Sequence, residues 1–161
     1  MKKLSLFLVL SVYLFAHPHY FLDSTLEISD TNIKNYWKFD RLNSKILMFD
    51  FDKNKNKNLD TNEKEDFFEA HFYKLKNNNY NIFLANEEDE FKIEPKNIDL
   101  LIDDKKRLTI VFDVTYNLSS DTTFCSMDEK ILLAYKLENL KTTLKTDIQK
   151  SEYDFCIGVS K

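Results

Sequence analysis

The twelve residues at positions 52–63, DKNKNKNLDTNE, place oxygen-bearing side chains at a chemically useful spacing. Counted from Asp52, Asn54 is third, Asn56 fifth, Asp60 ninth and Glu63 twelfth, while Asn58 is seventh and can offer its backbone carbonyl. This is the ligand order of an EF-hand calcium loop. Calcium takes six to eight hard oxygens, which a tight coil supplies by turning alternate side chains inward, with the last glutamate closing the shell through both its oxygens. Leu59, the eighth residue, is the apolar one expected to face a core. Lys57 stands where glycine usually makes the sharp turn, and a side chain there must accept a positive φ. Asn54 and Asn56 are neutral where acids are common, and Lys53, Lys55 and Lys57 repel a cation. Binding is therefore expected in the ~10⁻⁴–10⁻³ M range of extracellular modules. The bland alternative is a Lys/Asn-rich loop produced by the Lys, Asn, Ile, Phe and Tyr bias of an A/T-rich genome.

A second chemical possibility lies in HPHYFLD, which starts at residue 17 and holds two of the three histidines. Residues 1–16 read as a secretory signal: Lys2 and Lys3, then an apolar run over residues 4–15, then Ala16 at the cut. That run is shorter than the roughly 20 apolar residues of a membrane-spanning helix. An uncleaved anchor or a buried strand is the competing reading. If the cut follows Ala16, the free amine and imidazole of His17 can chelate one ion, and His19 can add its imidazole. Pro18 has no amide proton, which excludes the square-planar amine–amide–imidazole chelate. Nitrogen donors favour Cu(II), Ni(II) or Zn(II) over calcium. Asp23 lies about 13 Å from His19 along a strand, which makes it a group supporting the ligands from behind or a separate one rather than a fellow ligand. A solvated, metal-free terminus is the alternative. His71, the remaining histidine, reads as a packing or surface residue.

Composition narrows the class. The 161 residues have 43% hydrophobic and 31% charged side chains, as in an ordinary globular domain. Without Lys2 and Lys3, 21 basic face 27 acidic residues, a net charge of -6 that argues against a nucleic-acid surface. Cys125 and Cys156 are the only cysteines. In an oxidising compartment they are natural partners, closing a loop of about 31 residues worth ~3–4 kcal/mol in the chain-entropy model. Two free thiols or a thiolate metal pair is the other possibility. No serine–histidine–acid set and no glycine-rich phosphate cradle is present, because Gly158 is the single glycine. A catalytic role is not expected.

The elements that must position these groups alternate with period two in most of the chain. YFLDSTLEIS and IKNYWKF form a hairpin about SDTN, with Leu22, Leu26 and Ile28, then Ile33, Trp37 and Phe39, on single faces. After Asp40, a helix N-cap, Leu42, Ile46 and Phe49 recur at helical spacing. Past the loop, Phe68, Phe72 and Leu75 share a second helical face. YNIFLA and EFKIE flank the turn NEED, RLTIVFDVTYNL is the clearest strand, and KILLAYKL and YDFCIGV are two more. The expectation is an α+β chain: an antiparallel β-sandwich-like domain over residues 17–161 with an EF-hand-like helix–loop–helix inserted at about residues 40–77.

Several of these pieces resemble a known family. AHPHYFLD, YWKFD with Ser44, DFDKNKNKNLDTNE and RLTIVFDV, within residues 16–118, are similar to small uncharacterised bacterial periplasmic proteins labelled as periplasmic components of an ABC-type transport system. Those often occur beside nickel/cobalt permeases. The resemblance implies a periplasmic location, a metal theme and a membrane metal permease or transporter as partner, without a membrane span after signal cleavage. It does not supply a mechanism. The expected function is metal handling for transition-metal (nickel, cobalt, zinc or copper) transport, with a weak structural calcium site. A calcium-stabilised envelope adaptor that binds another protein, its histidines incidental, is the alternative.

Overall fold

The computed structural model describes residues 20–117, 121–130 and 132–160. The expected signal, His17 and His19 lie outside these. Strands β1 (Tyr20–Ile28) and β2 (Asn32–Phe39) form the expected hairpin, with Leu22 opposite Phe39 and Ile28 opposite Ile33. Their apolar alternation buries Leu22, Leu26, Ile28, Ile33, Trp37 and Phe39 on one side of the sheet. Helix α1 (Arg41–Phe51) follows, then α2 (Thr61–Phe67), which widens into a π segment (Phe68–Phe72) and tightens into a 3-10 segment (Tyr73–Asn81).

The rest is strand: β3 (Ile82–Asn86), β4 (Lys96–Ile102), β5 (Leu108–Thr115), β6 (Thr122–Ser126), β7 (Leu133–Lys141), β8 (Lys145–Lys150) and β9 (Phe155–Ser160). Five strands pair in the order β4-β5-β2-β1-β7 and four in the order β3-β6-β9-β8. The helix–loop–helix thus joins β2 of one sheet to β3 of the other. Both sheets contribute to one apolar cluster. At its centre Trp37 is fully buried against Phe72, Phe112 and Tyr135 at ring distances of 6.1, 4.7 and 5.0 Å.

Three expectations change. The larger sheet is mixed rather than antiparallel, because β7 runs parallel to β1 from Tyr20 opposite Leu133 to Glu27 opposite Lys141. EFKIE is not a strand. It makes one bridge, Glu90 to Ala85, and Asn79 takes its next backbone groups: Asn79 Oδ1 accepts from Ile93 N–H (2.7 Å), and its amide nitrogen donates to Phe91 O (3.2 Å). Finally, Leu42, Ile46 and Phe49 form a helical stripe, but it faces solvent, at 67%, 47% and 85% exposure. The core takes Ser44 and Leu47 from α1 instead. The Ser44 hydroxyl donates to Phe39 O (3.3 Å) and accepts from Leu108 N–H (3.1 Å), pinning the helix to the start of β5.

Candidate metal centre

Local chemistry builds the loop between the helices from both ends. Asp40 caps α1, its carboxylate accepting from Asn43 N–H at 2.9 Å. Asp60 caps α2 by accepting from Asn62 and Glu63 N–H, while Glu63 Oε2 accepts from Asp60 N–H at 3.0 Å, a reciprocal capping box. Glu63 is 4% exposed, and its other oxygen reaches back across the loop to Lys53 N–H (2.8 Å) and Asn54 N–H (3.2 Å). One carboxylate therefore ties the exit of α1 to the entry of α2.

The remaining ligand candidates also turn inward. Asp52 accepts from Asn56 N–H (3.0 Å) and Lys57 N–H (2.8 Å), one with each oxygen. Asn54 Oδ1 accepts from Asn56 N–H (2.9 Å), Asn56 Oδ1 accepts from Asn58 N–H (2.7 Å), and Asn54 Nδ2 donates to Asp60 Oδ2 (3.2 Å). Leu59 is buried in the common core. Lys57 adopts φ 66°, the left-handed turn that the sixth position requires, and Lys55 also has a positive φ of 59°. The carbonyl of Lys57 accepts from Lys106 Nζ at 3.2 Å. The side-chain oxygens of Asp52, Asn54, Asn56, Asp60 and Glu63 are thus engaged by the loop's own donors. Among the described residues no three or more His, Cys, Asp or Glu side chains gather as a metal-holding group. The donor set of three carboxylates, two amides and a backbone carbonyl fits a hard cation chemically.

His71 is the only histidine among the described residues, and it is half-buried in the π segment rather than at the surface. Its ring packs on Phe67 (5.3 Å), Phe51 (5.4 Å) and Tyr20 (5.7 Å). Burial lowers its pKa from the ordinary value, Lys74 lowers it further, and Asp50 opposes them. The surroundings therefore favour the neutral imidazole over the charged one. A cavity of about 260 Å³ lies beside it, with Tyr20, Trp37 and Asp128 in its lining. Sequence periodicity did not point to this packing, part of which comes from where strand β1 starts.

The larger groove, about 760 Å³ on the outer face of the five-stranded sheet, is a surface of paired charges. Asp23 lies there, opposite Lys38 and away from His71. Asp103 pairs with Arg107 (3.2 Å) and Lys38 (3.8 Å), and Lys141 with Glu27 (2.8 Å), so its ions largely satisfy one another. Cys125 and Cys156 face each other across β6 and β9 and form a disulfide, with Cα atoms 4.1 Å apart. That excludes a free nucleophilic thiol and is compatible with an extracellular or periplasmic location. No helix among the described residues is long and apolar enough to cross a membrane.

No curated protein and no solved structure matches the chain. The profile of one family, described as a protein of unknown function (DUF1007), matches residues 3–149, nearly the whole sequence. The chain therefore belongs to the DUF1007 family of proteins of unknown function.

Proposed function

We propose that this protein is a metal-handling binding protein of the bacterial periplasm, an accessory to transition-metal transport whose helix–loop–helix is braced by a weak calcium site. The observation that carries the reading is the loop itself. Oxygens from positions one, three, five, nine and twelve all turn inward, and the sixth residue already holds the left-handed turn. Asp52, Asn54, Asn56, Asp60 and Glu63 would hold calcium with their side-chain oxygens, and Asn58 with its carbonyl. The ion would supply a charge that neutralises the three carboxylates and fixes α1 against α2. His17 and His19 would offer nitrogen to a nickel, zinc or copper ion, the cargo passed to or from a membrane metal permease.

The test is thermal melting of the chelator-treated protein with and without calcium. At 5 mM calcium and a Kd of ~10⁻⁴–10⁻³ M, mass action stabilises the folded state by about 1–2 kcal/mol. For a chain of this size that raises Tm by roughly 2–8 °C. Glu63→Gln should lose the shift. An unchanged Tm in the parent protein removes the calcium brace.

A second reading is favoured by the solvent-facing stripe of α1. Leu42, Ile46 and Phe49 are exposed, and Phe49 shares a surface hollow with Arg41, Lys45, Lys105 and Lys106, a basic rim on a chain of net charge -4. On this reading the protein is a calcium-stabilised adaptor, and its partner presents an apolar groove edged by carboxylates. Replacing Phe49 with Ser separates the two. An adaptor loses its partner, whereas metal binding is unaffected.

A further inference from the structure

Helix α1 turns Ser44 and Leu47 into the core, so its opposite side projects into solvent. Leu42, Ile46 and Phe49 recur on that side at helical spacing, and all three are exposed. Arg41 and Lys45 form the adjacent row, and Lys105 and Lys106, from the turn between β4 and β5, line the same hollow as Phe49. We propose that this face docks on an anionic phospholipid bilayer: the three apolar side chains enter the boundary between headgroups and acyl chains, and the four cations bind lipid phosphates. The face is the one that the adaptor reading uses, but the partner is a lipid surface, and the docking is independent of the metal sites.

Charge argues for that occupant. Arg41, Lys45, Lys57, Lys105 and Lys106 line a hollow of about 400 Å³, and none of them forms a salt bridge among the described residues. The one carboxylate in that lining, Asp52, accepts from Asn56 N–H with one oxygen and from Lys57 N–H with the other. Two exposed carboxylates adjoin the face in sequence, Asp50 after Phe49 and Asp104 before Lys105, and the cations still outnumber them. Unpaired positive charge gathered at one place on a chain of net charge -4 attracts a negative surface to that place.

Shape separates a bilayer from a protein. An 11-residue helix presents a face roughly 16 Å long and 10 Å wide, far short of the ~800 Å² that each side of a stable protein complex buries. A protein would also need a groove fitted to three projecting side chains, whereas a fluid lipid boundary makes no such demand. Long basic side chains flanking an apolar ridge are the composition of helices that lie in a membrane interface, where Lys and Arg stems reach back to the phosphates. A second copy of this chain is disfavoured, since it would bring two basic rims together.

The test is flotation of the untagged protein as exported, in chelator, with vesicles of phosphatidylglycerol and phosphatidylcholine or of phosphatidylcholine alone. The mixed vesicles should bind at least about tenfold more tightly, and raising NaCl from about 0.1 M to about 0.5 M should release the protein. Phe49→Ser, and the double change Lys45→Glu with Lys105→Glu, should each weaken binding at least about tenfold. All three positions are exposed, so the fold should survive, and an unchanged Tm checks it. Phe49→Trp should keep binding, and its emission should shift to the blue on the mixed vesicles while the buried Trp37 gives a constant background. Equal binding to both vesicle types, or binding that survives both variants, overturns the docking face. A parent protein that floats with neither vesicle overturns it too, and leaves an acidic protein as the partner of this face. Calcium-dependent melting tests the metal reading separately and is untouched by any of these results.

Discussion

Lys57 offers the sharpest separation of backbone strain from charge in the loop. Its φ of 66° belongs to the left-handed region, its side chain is exposed, and its N–H and carbonyl are bonded to Asp52 and Lys106. Lys57→Gly keeps both backbone bonds and loses no packing. A non-glycine residue in that conformation costs about 1–2 kcal/mol. Glycine relieves this but gives back about 0.5–1 kcal/mol of chain entropy. The calcium-free variant should therefore be about 0.5–1 kcal/mol more stable, a rise of roughly 2–3 °C in Tm by calorimetry in chelator. Lys57→Ala removes the same charge but keeps the strain, so its calcium-free Tm should not rise. Calcium affinity should improve in both. A unit charge about 10 Å from a divalent ion in water contributes about 0.8 kcal/mol before screening, roughly fourfold in Kd. If Lys57→Ala gains as much stability as Lys57→Gly, the cost at this position is electrostatic and the strain argument fails. If both lose stability, the left-handed turn itself is refuted.

Three further predictions rest on single groups. Ser44→Ala leaves the buried Leu108 N–H without an acceptor and should cost about 1–3 kcal/mol in urea unfolding, whereas an unchanged midpoint would mean that α1 is not anchored at that point. Reduction of Cys125–Cys156 should remove about 3–4 kcal/mol, seen as a lower urea midpoint with thiol reductant and absent in the double serine variant. His71 has its pKa lowered by burial and by Lys74, so the unfolded chain takes up a proton near its ordinary value before the folded protein does. Stability is thus fully present above pH 6.5 and falls as pH drops through 6.5 towards the lower folded value. Urea midpoints from pH 8 to pH 5 should show this loss, and His71→Phe should flatten it.

The hairpin, β5 and the cysteine pairing were legible in the sequence because each depends on local alternation or on simple counting. Leu108, Ile110, Phe112 and Val114 alternate without interruption, and β5 lies where they do. β8 shows no such signal: it is an edge strand of the four-stranded sheet, mostly exposed, and KTDIQK has one apolar residue. β4 buries only Leu100, so its pattern is also silent. EFKIE carries a clean alternation and still fails as a strand, because Asn79, brought in by a left-handed turn of φ 48°, takes its backbone groups first. Helix α1 shows the limit of face reading. RLNSKILMFDF is apolar on several sides, and the choice of Ser44 and Leu47 for the core depends on Leu108, 64 residues after Ser44. The inward-turned oxygens of the loop were legible as a spacing. The packing of His71 was not, since it comes from the distant strand that starts beside it.

The loop and His71 are joined through two aromatic rings, and that joint can be tested. Phe51 is the last residue of α1 and immediately precedes Asp52, the first residue of the loop. Phe67 is the last residue of α2, one turn beyond Glu63. These two rings touch each other at 5.5 Å and both pack on His71, at 5.4 and 5.3 Å. Glu63 holds the N–H groups of Lys53, Asn54 and Asp60, so calcium drawing on its oxygens should change how α1 meets α2. The rings of Phe51 and Phe67 would carry that change to His71, whose imidazole proton resonances should therefore shift when calcium is added. Nuclear magnetic resonance of the chelator-treated protein with and without 5 mM calcium measures it, and Glu63→Gln should abolish the shift. Unmoved resonances in a protein that binds calcium would mean that the loop and the histidine are independent, and Phe51 and Phe67 would then be core residues and nothing more.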